Sequence, residues 1–378
     1  MATSFSQFAA PVQAANSAQR RRYLLGPISD FLTFGGLSLL VLPAMLLLLP
    51  ATAAVNVKVW TLTMLLAHVI NHPHFAHSYQ LFYRQFAEKA SGRLLGSVMR
   101  ARYLFAGVAV PLALAVFLAV CFARGDRQLL GYAGNVMALF VGWHYVKQGY
   151  GLLMTDCALK RQFFGALDKR VLLINCYVAW AAAWLMFNAD AEKSDLFGIS
   201  TIAFAVPGWL VNAAIGVLLA TTLAVAVTFL RNWRVAGTLP FNGVLAYVAS
   251  LYPWLILIKV SPMWVALAPA FHSLQYLAVV WRFEINRESA QLAQLDPAVR
   301  SSLSAHIARF IGWGIVLGLM GFWVLPMLAN TVIGYDHAVL GTTFFLFAAW
   351  IFINVHHYFI DNVIWRRDNP ETQRFLFS

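Results

Sequence analysis

The chain has 378 residues, of which 61% are hydrophobic and only 11% are charged, and its mean hydropathy is +0.69. Soluble domains carry about a quarter charged residues, so this composition excludes an ordinary soluble protein and predicts a polytopic membrane protein. The net charge is +12, but the basic residues lie in short clusters between apolar runs, which excludes nucleic acid as a partner. The three cysteines are far apart and predict neither a disulfide framework nor a thiolate metal site.

Apolar runs of about 20 residues, the length that crosses a bilayer, occur along the whole chain. They predict ten transmembrane helices, at residues 31–53, 58–83, 101–122, 129–154, 170–188, 208–230, 241–260, 262–283, 310–329 and 338–364. We therefore expect an all-α fold, a polytopic integral membrane helical bundle. Its single transmembrane domain (31–364) follows a polar cytoplasmic N-terminal segment (1–30) and precedes a cytoplasmic C-terminal tail (365–378).

Most of the 27 Lys and Arg residues fall in the loops that would share one face of this bundle. Cytoplasmic loops carry such an excess of positive charge. The distribution predicts an even number of spans with both termini in the cytoplasm. We assign the protein to a membrane, and expect a bacterial inner membrane.

The second predicted span contains four histidines within ten residues, namely His68, His72, His74 and His77. Ionisable side chains in hydrocarbon are costly, roughly 2.5–3.5 kcal/mol for charged ones on insertion scales, and they usually face a bundle interior and have a function. His68 and His72 are four residues apart, so on a regular helix both rings could reach one metal. Pro73 should kink the helix and open it before His74 and His77. The alternative is a kinked core helix whose histidines bond to backbone carbonyls.

Three later spans carry matching polar inserts, which are His144 with Lys147 and Gln148, His272 with Gln275 and Tyr276, and His356 and His357 with Asp361. One histidine of each span lies ten to sixteen residues before the first basic residue on the predicted cytoplasmic face, and these are His72, His144, His272 and His356. At about 1.5 Å per residue, they should lie at similar depth. We therefore expect the four spans to meet at one intramembrane site.

The insert of the eighth span favours a ligand with a positioning partner. Gln275 and Tyr276 lie three and four residues after His272, where either could fix its tautomer. In the fourth span, His144 is a ligand or a helix–helix hydrogen-bond donor, and Lys147 is interpreted as reaching to the cytoplasmic surface.

The insert of the last span combines two imidazoles with a carboxylate. Adjacent side chains on a helix point about 100° apart, so one of His356 and His357 can ligate while the other orients. Asp361 lies four residues after His357, a spacing suited to two ligands or to a carboxylate–imidazole pair. The alternative is that Asp361 pairs with Arg366 or Arg367 at the membrane surface.

Imidazoles with one carboxylate and no thiolate suit an imidazole-preferring metal. Non-haem iron is favoured because a site among apolar helices suits O2 and oily substrates, while zinc, copper and haem stay alternatives. The candidate metal ligands are His68, His72, His74, His77, His144, His272, His356 and His357, and the candidate catalytic residues are Asp361 and Tyr276.

The four inserts resemble the motifs of the Brp/Blh family of membrane carotenoid-cleaving dioxygenases. The similar stretches are Pro73-His74, Trp143-His144, His272-Ser273 through Trp281-Arg282, and His356/His357 with Asp361. The resemblance implies a helical bundle, one iron held by four histidines and O2-dependent attack on a polyene or another lipid. Phe75 and Tyr276 depart from the pattern, where the family has Gly and a second His. The membrane desaturases share only a His-x-x-x-His box, at His68 and His72.

We therefore expect a membrane-embedded, His-ligated non-haem iron oxygenase, an enzyme that uses O2 on a lipophilic substrate such as a lipid, isoprenoid or polyene near the cytoplasmic leaflet. Intramembrane His, Asp and Lys also form proton relays, so a proton-coupled or metal-ion transporter is the competing prediction. A haem-binding membrane protein is the third.

Overall fold

The computed structural model describes residues 22–50, 52–92, 95–189, 195–196, 199–200, 202–260, 264, 267–295 and 302–377. Most of the predicted N-terminal segment, residues 1–21, lies outside these ranges. Within them the chain is helical apart from one antiparallel pair of two-residue strands, in agreement with the predicted all-α fold.

Within the described ranges, the helices and strands are numbered here in chain order. They are α1 (Pro27–Leu48), α2 (Ala53–Ala67), α3 (Asn71–Tyr83), α4 (Phe86–Ser91), α5 (Ser97–Arg124), α6 (Arg127–Lys160), α7 (Ala166–Ala189), β1 (Asp195–Leu196), β2 (Ile199–Ser200), α8 (Gly208–Ala236), α9 (Phe241–Leu251), α10 (Pro253–Val260), α11 (Leu267–Leu292), α12 (Leu303–Val332), α13 (His337–Leu340), α14 (Phe344–Ile364) and α15 (Pro370–Leu376).

Among the described residues, seven helical stretches are long and apolar enough to cross a membrane, as an integral membrane protein requires: α1, α2 with α3, α5, α7, α8, α12 and α14. The other three predicted spans also coincide with helices, which are α6, α9 with α10, and α11, but these are shorter or more polar. Polar side chains such as His144 on α6 and His272 on α11 lower the hydropathy of two of them. The total of ten spans and the orientation stay predictions.

The second predicted span is broken between α2 and α3. His68 closes α2, and α3 begins three residues later. The predicted kink at Pro73 is wrong in position, because Pro73 is the third residue of α3. Backbone N–H groups of a first helical turn have no intrahelical acceptor, so a proline there removes no hydrogen bond. His74 therefore projects from a regular helix.

Helix α3 contacts α11, α12 and α14, and α6 lies against α9 and α14. The contact between α3 and α12 is close because two glycines of α12 face α3. A Cβ atom added at Gly314 would lie 2.4 Å from Cε1 of His77, and one added at Gly318 would lie 2.7 Å from the carbonyl carbon of His72. Small residues permit such close approach between membrane helices.

Gln275 connects three helices to α11. Its Nε2 donates to the carbonyl of Phe34 in α1 at 2.7 Å, and its Oε1 accepts from Gln148 of α6 and Ser250 of α9, both at 3.0 Å. The prediction that Gln275 fixes the His272 tautomer is therefore wrong. Its amide group instead links α11 to α1, α6 and α9 through hydrogen bonds.

A Gly318→Ala substitution should destabilise the contact between α3 and α12. The added carbon meets backbone atoms of His72, which cannot move aside, and overpacking of this kind costs about 1–3 kcal/mol. The expected result is an unfolding midpoint lowered by several degrees in detergent solution, measured by circular dichroism.

Gly312→Ala is the matched control on the same helix, because an added Cβ there meets nothing within 4 Å. Alanine is the better helix former, so this variant should be as stable as the parent or more so. Equal stability of both variants would contradict the proposed close contact.

Candidate metal centre

Three histidines and one carboxylate from three helices converge inside the bundle. His74 comes from α3, His144 from α6, and His357 and Asp361 from α14, and one ligand atom of each lies within 4.8 Å of the others. His74, His357 and Asp361 are buried, and the His144 side chain is 12% exposed. This His-His-His-Asp group could hold a metal ion.

The distances between three of the ligand atoms are those of a coordination shell. Nε2 of His357 lies 3.2 Å from Nε2 of His144 and 3.4 Å from Oδ2 of Asp361. Nε2 of His144 lies 3.6 Å from Oδ2 of Asp361. Ligands bound at about 2.0–2.2 Å from one ion must lie at roughly such distances from each other. The three atoms therefore point at a common centre.

The local hydrogen bonds of His74 leave one ring nitrogen free to ligate. The Ser273 hydroxyl donates to Oδ1 of Asn71 at 2.8 Å and lies 3.2 Å from Nδ1 of His74. Because the serine proton is already used, Nδ1–H of His74 donates to Ser273. The lone pair is then on Nε2, which is buried without a hydrogen-bond partner among the described residues.

His272 lies beside this group, with ring centroids 4.8 Å from His144 and 5.1 Å from His74. Its ring stacks on Tyr145 at 4.0 Å. Both of its ring nitrogens are buried without a hydrogen-bond partner in the described part of the chain. His272 is thus available as a fourth imidazole at the edge of the group.

Tyr276 positions the carboxylate. Its hydroxyl donates to Oδ1 of Asp361 at 2.9 Å, contacts the Ser78 hydroxyl and accepts from Nε1 of Trp365 at 3.1 Å. Oδ2 of Asp361 then faces the histidines and has no hydrogen-bond partner among the described residues. Tyr276 therefore orients Asp361 and not, as predicted from the sequence, the His272 ring, although its own ring packs against His74 with centroids 4.3 Å apart.

The alternative role for Asp361, pairing with a surface arginine, is wrong. Arg366 instead donates to Asp368, at 2.9 Å from its Nε. The carboxylate of Asp361 lies among the histidines, and its proximity to His144 and His357 identifies it as part of the candidate centre.

His356 and His77 lie outside the group. Nδ1 of His356 accepts from Tyr79 at 2.9 Å, and its Nε2 donates to the carbonyl of Ala106 at 2.9 Å, so both ring nitrogens are used. The His77 ring stacks on Phe310, and its Nδ1 lies 2.7 Å from Gln80. The structure does not place either predicted ligand at the centre.

His68 and His72 form a separate pair, with ring centroids 5.1 Å apart. His72 stacks on Phe322, and the ring of Phe75 lies between Phe322 and His357, 5.0 and 4.6 Å from them. Phe75 therefore separates this pair from the candidate metal centre.

Sequence reasoning assigned no role to the polar residues that support the centre, which are Asn71, Ser78, Ser273 and Trp365. A signal was present for two of them. Ser78 lies one helical turn after His74 on the same face, and Ser273 directly follows His272. Hydroxyl groups at such positions are candidates to orient metal-ligating imidazoles.

The donor set fits a metal ion because several of its buried polar atoms have no hydrogen-bond partner among the described residues. Buried polar atoms without partners cost about 1–3 kcal/mol each. Nε2 of His74, both ring nitrogens of His272 and Oδ2 of Asp361 are all in this condition among the described residues. A metal at their centre would be bound by Nε2 of His74 and Oδ2 of Asp361 and could take one ring nitrogen of His272, whose other nitrogen carries the ring proton. Imidazole with carboxylate suits iron, zinc and copper.

A Tyr276→Phe substitution should weaken metal binding about 10–100-fold, because the carboxylate loses the hydrogen bond that aims it at the centre. Chelator competition on purified protein measures the change. Tyr79→Phe is the control, because it removes a tyrosine hydroxyl that hydrogen-bonds to His356, a residue outside the group. This variant should leave the metal affinity unchanged. Equal affinities in the two variants would contradict the positioning role of Tyr276.

Comparisons of the chain with protein-family models, with curated proteins and with solved structures found no match.

Proposed function

We propose that the protein is a membrane-embedded oxygenase with a non-haem iron held by His74, His144, His357 and Asp361. It would use O2 on a lipophilic substrate. The observation that carries this proposal is the convergence of three imidazoles and a carboxylate, their ligand atoms within 4.8 Å of one another, at the end of a large cavity. His272 is the fourth imidazole available to the ion.

The surroundings of the centre favour iron over zinc or copper as the functional metal. Three imidazoles and one carboxylate, with no thiolate, include the two histidines and one carboxylate that hold iron in non-haem iron oxygenases. When bound, iron supplies the electron transfer that activates O2. Apolar helices around the centre admit O2 and an oily substrate. An oxygenase needs both of these, whereas a hydrolytic zinc site does not need O2.

The residues of the chain have separate tasks in this proposal. Ser273 holds the His74 tautomer that offers Nε2, and Tyr276 aims the Asp361 carboxylate. The burial of His74, His357 and Asp361 limits the access of bulk water to the centre. A dioxygenase reaction, in which both atoms of O2 enter the substrate, balances without an external reductant.

The geometry favours an ion over haem. A haem needs an open, flat space between its axial histidines, whereas the His74, His144 and His357 rings lie with centroids 4.4–6.3 Å apart around one point. Their crowding leaves no space for a macrocycle between them. The spacing of the rings does not argue against a transporter, so an experiment has to distinguish a transporter from an oxygenase.

Protein purified in detergent should contain close to one iron per chain by elemental mass spectrometry, and His144→Ala should lose most of it. His68→Ala is the control, because it removes an intramembrane histidine that hydrogen-bonds within its own helix, to the carbonyl of Met64. It should retain the iron. A folded parent protein free of transition metal would contradict the proposed centre.

Membranes containing the protein should incorporate label from ¹⁸O₂ into their extracted lipids, detected by mass spectrometry, and Asp361→Asn should abolish this incorporation. The His68→Ala variant should retain it. Metal-dependent uptake of protons or ions into proteoliposomes, with no labelled lipid, would favour the transporter instead.

A further inference from the structure

A cavity of about 1040 Å³ leads away from the candidate metal centre. It begins at His144 and Asp361, follows α6 as far as Ala158, and reaches Phe377 beyond α15. The distance from His144 to Ala158 along the helix is about 21 Å. The cavity is therefore large and long enough for a lipid-sized molecule.

The cavity walls combine apolar and basic residues. Leu152, Met154, Val279 and Leu376 are among the apolar ones, and the cations are Lys147, Lys169, Arg366 and Arg367. Lys147 lies one turn of α6 after His144, about 5 Å along the helix axis. Positive charge therefore lines the wall next to the candidate metal centre.

Asp361 and Asp368 are the carboxylates that line the cavity, and Asp368 balances the charge of one wall cation, Arg366. Asp361 belongs to the metal group. Asp368 accepts from Arg102 at 2.8 Å and from Arg366 at 2.9 Å, and these hydrogen bonds lower the pKa of its carboxyl group below the ordinary value. Lys147 contacts the neutral side chain of Asn362. The positive charge of the wall is thus only partly balanced by the protein.

We propose that the cavity binds an amphiphilic lipid through an anionic oxygen group, a carboxylate or a phosphate, held by Lys147 and Arg367. The alkyl chain occupies the apolar part of the cavity. Because Lys147 lies next to His144, the carbon atoms nearest to the anionic group are the ones that reach the metal centre. The reaction at those carbons rests on the proposed function, whereas the binding does not.

The test compares three probes that share one alkyl chain: palmitate, hexadecyl phosphate and hexadecanol. Their binding to protein purified in a nonionic detergent is measured by equilibrium dialysis with radiolabelled probes. At least one anionic probe should bind at least tenfold more tightly than hexadecanol, and its affinity should fall as salt is added. Preference for palmitate indicates a carboxylate, and preference for hexadecyl phosphate a phosphate.

Lys147→Gln and Arg367→Gln should each weaken binding of the preferred anionic probe about tenfold and leave hexadecanol binding unchanged. Arg234→Gln is the matched control, an exposed basic residue near the end of α8 that does not line the cavity. It should change neither affinity. Two variants at different positions protect the test against a loss of folding in one of them.

Equal affinity for hexadecanol and both anionic probes would overturn this inference, and so would unchanged binding in both variants. Competition by inorganic phosphate as strong as that by hexadecyl phosphate would also overturn it, because the site would then take a free anion. Iron-free protein that still prefers an anionic probe would contradict only the proposed function. Iron-loaded protein without that preference would contradict only this inference.

Discussion

The site depends on the free energy of burying lone pairs that have no hydrogen-bond donor. Nε2 of His74, the lone-pair nitrogen of the His272 ring and Oδ2 of Asp361 lie in an apolar bundle without partners among the described residues. Such atoms destabilise a fold unless something binds them. A cation at their centre would offset this cost, and the stability of the bundle would then depend on the occupancy of the site.

Some buried polar groups elsewhere in the bundle have hydrogen-bond partners, and others, such as Nε2 of His77 and Nε1 of Trp281, have none among the described residues. Gln275 uses both ends of its amide, His356 uses both ring nitrogens, and Asn175 donates to Tyr247 and Tyr252 at 2.9 Å. His72 is another buried imidazole without partners, but Phe75 separates it from the candidate centre. The metal group differs from the other buried polar groups because its ligand atoms lie within 4.8 Å of one another.

The cavity and the centre form one continuous environment. His144 and Asp361 line the cavity and also belong to the metal group, so a bound molecule would meet the ion directly. Lys147 lies on α6, which supplies His144, and Arg366 and Arg367 follow the end of α14, which supplies Asp361. The candidate metal group and these basic side chains therefore come from neighbouring parts of the same two chain segments.

The sequence by itself determined the apolar helices, the four spans that carry the site and the kinds of side chain in it, because hydropathy and the rarity of intramembrane imidazoles are properties of composition and spacing. It left the choice among neighbouring histidines open. Tertiary structure selected His74 over His72 through the intervening Phe75, and His357 over His356 because Tyr79 and the carbonyl of Ala106 occupy the latter.

The supporting residues and the cavity were likewise decided only by the fold. Tyr276 meets Asp361 across two helices, and Ser273 meets His74 from α11, contacts between positions 85 and 199 residues apart in the chain. No local pattern encodes such pairings, because they depend on how helices pack and on the direction each side chain takes at the contact. Helical spacing places the ligands on faces, and packing alone brings those faces to one point.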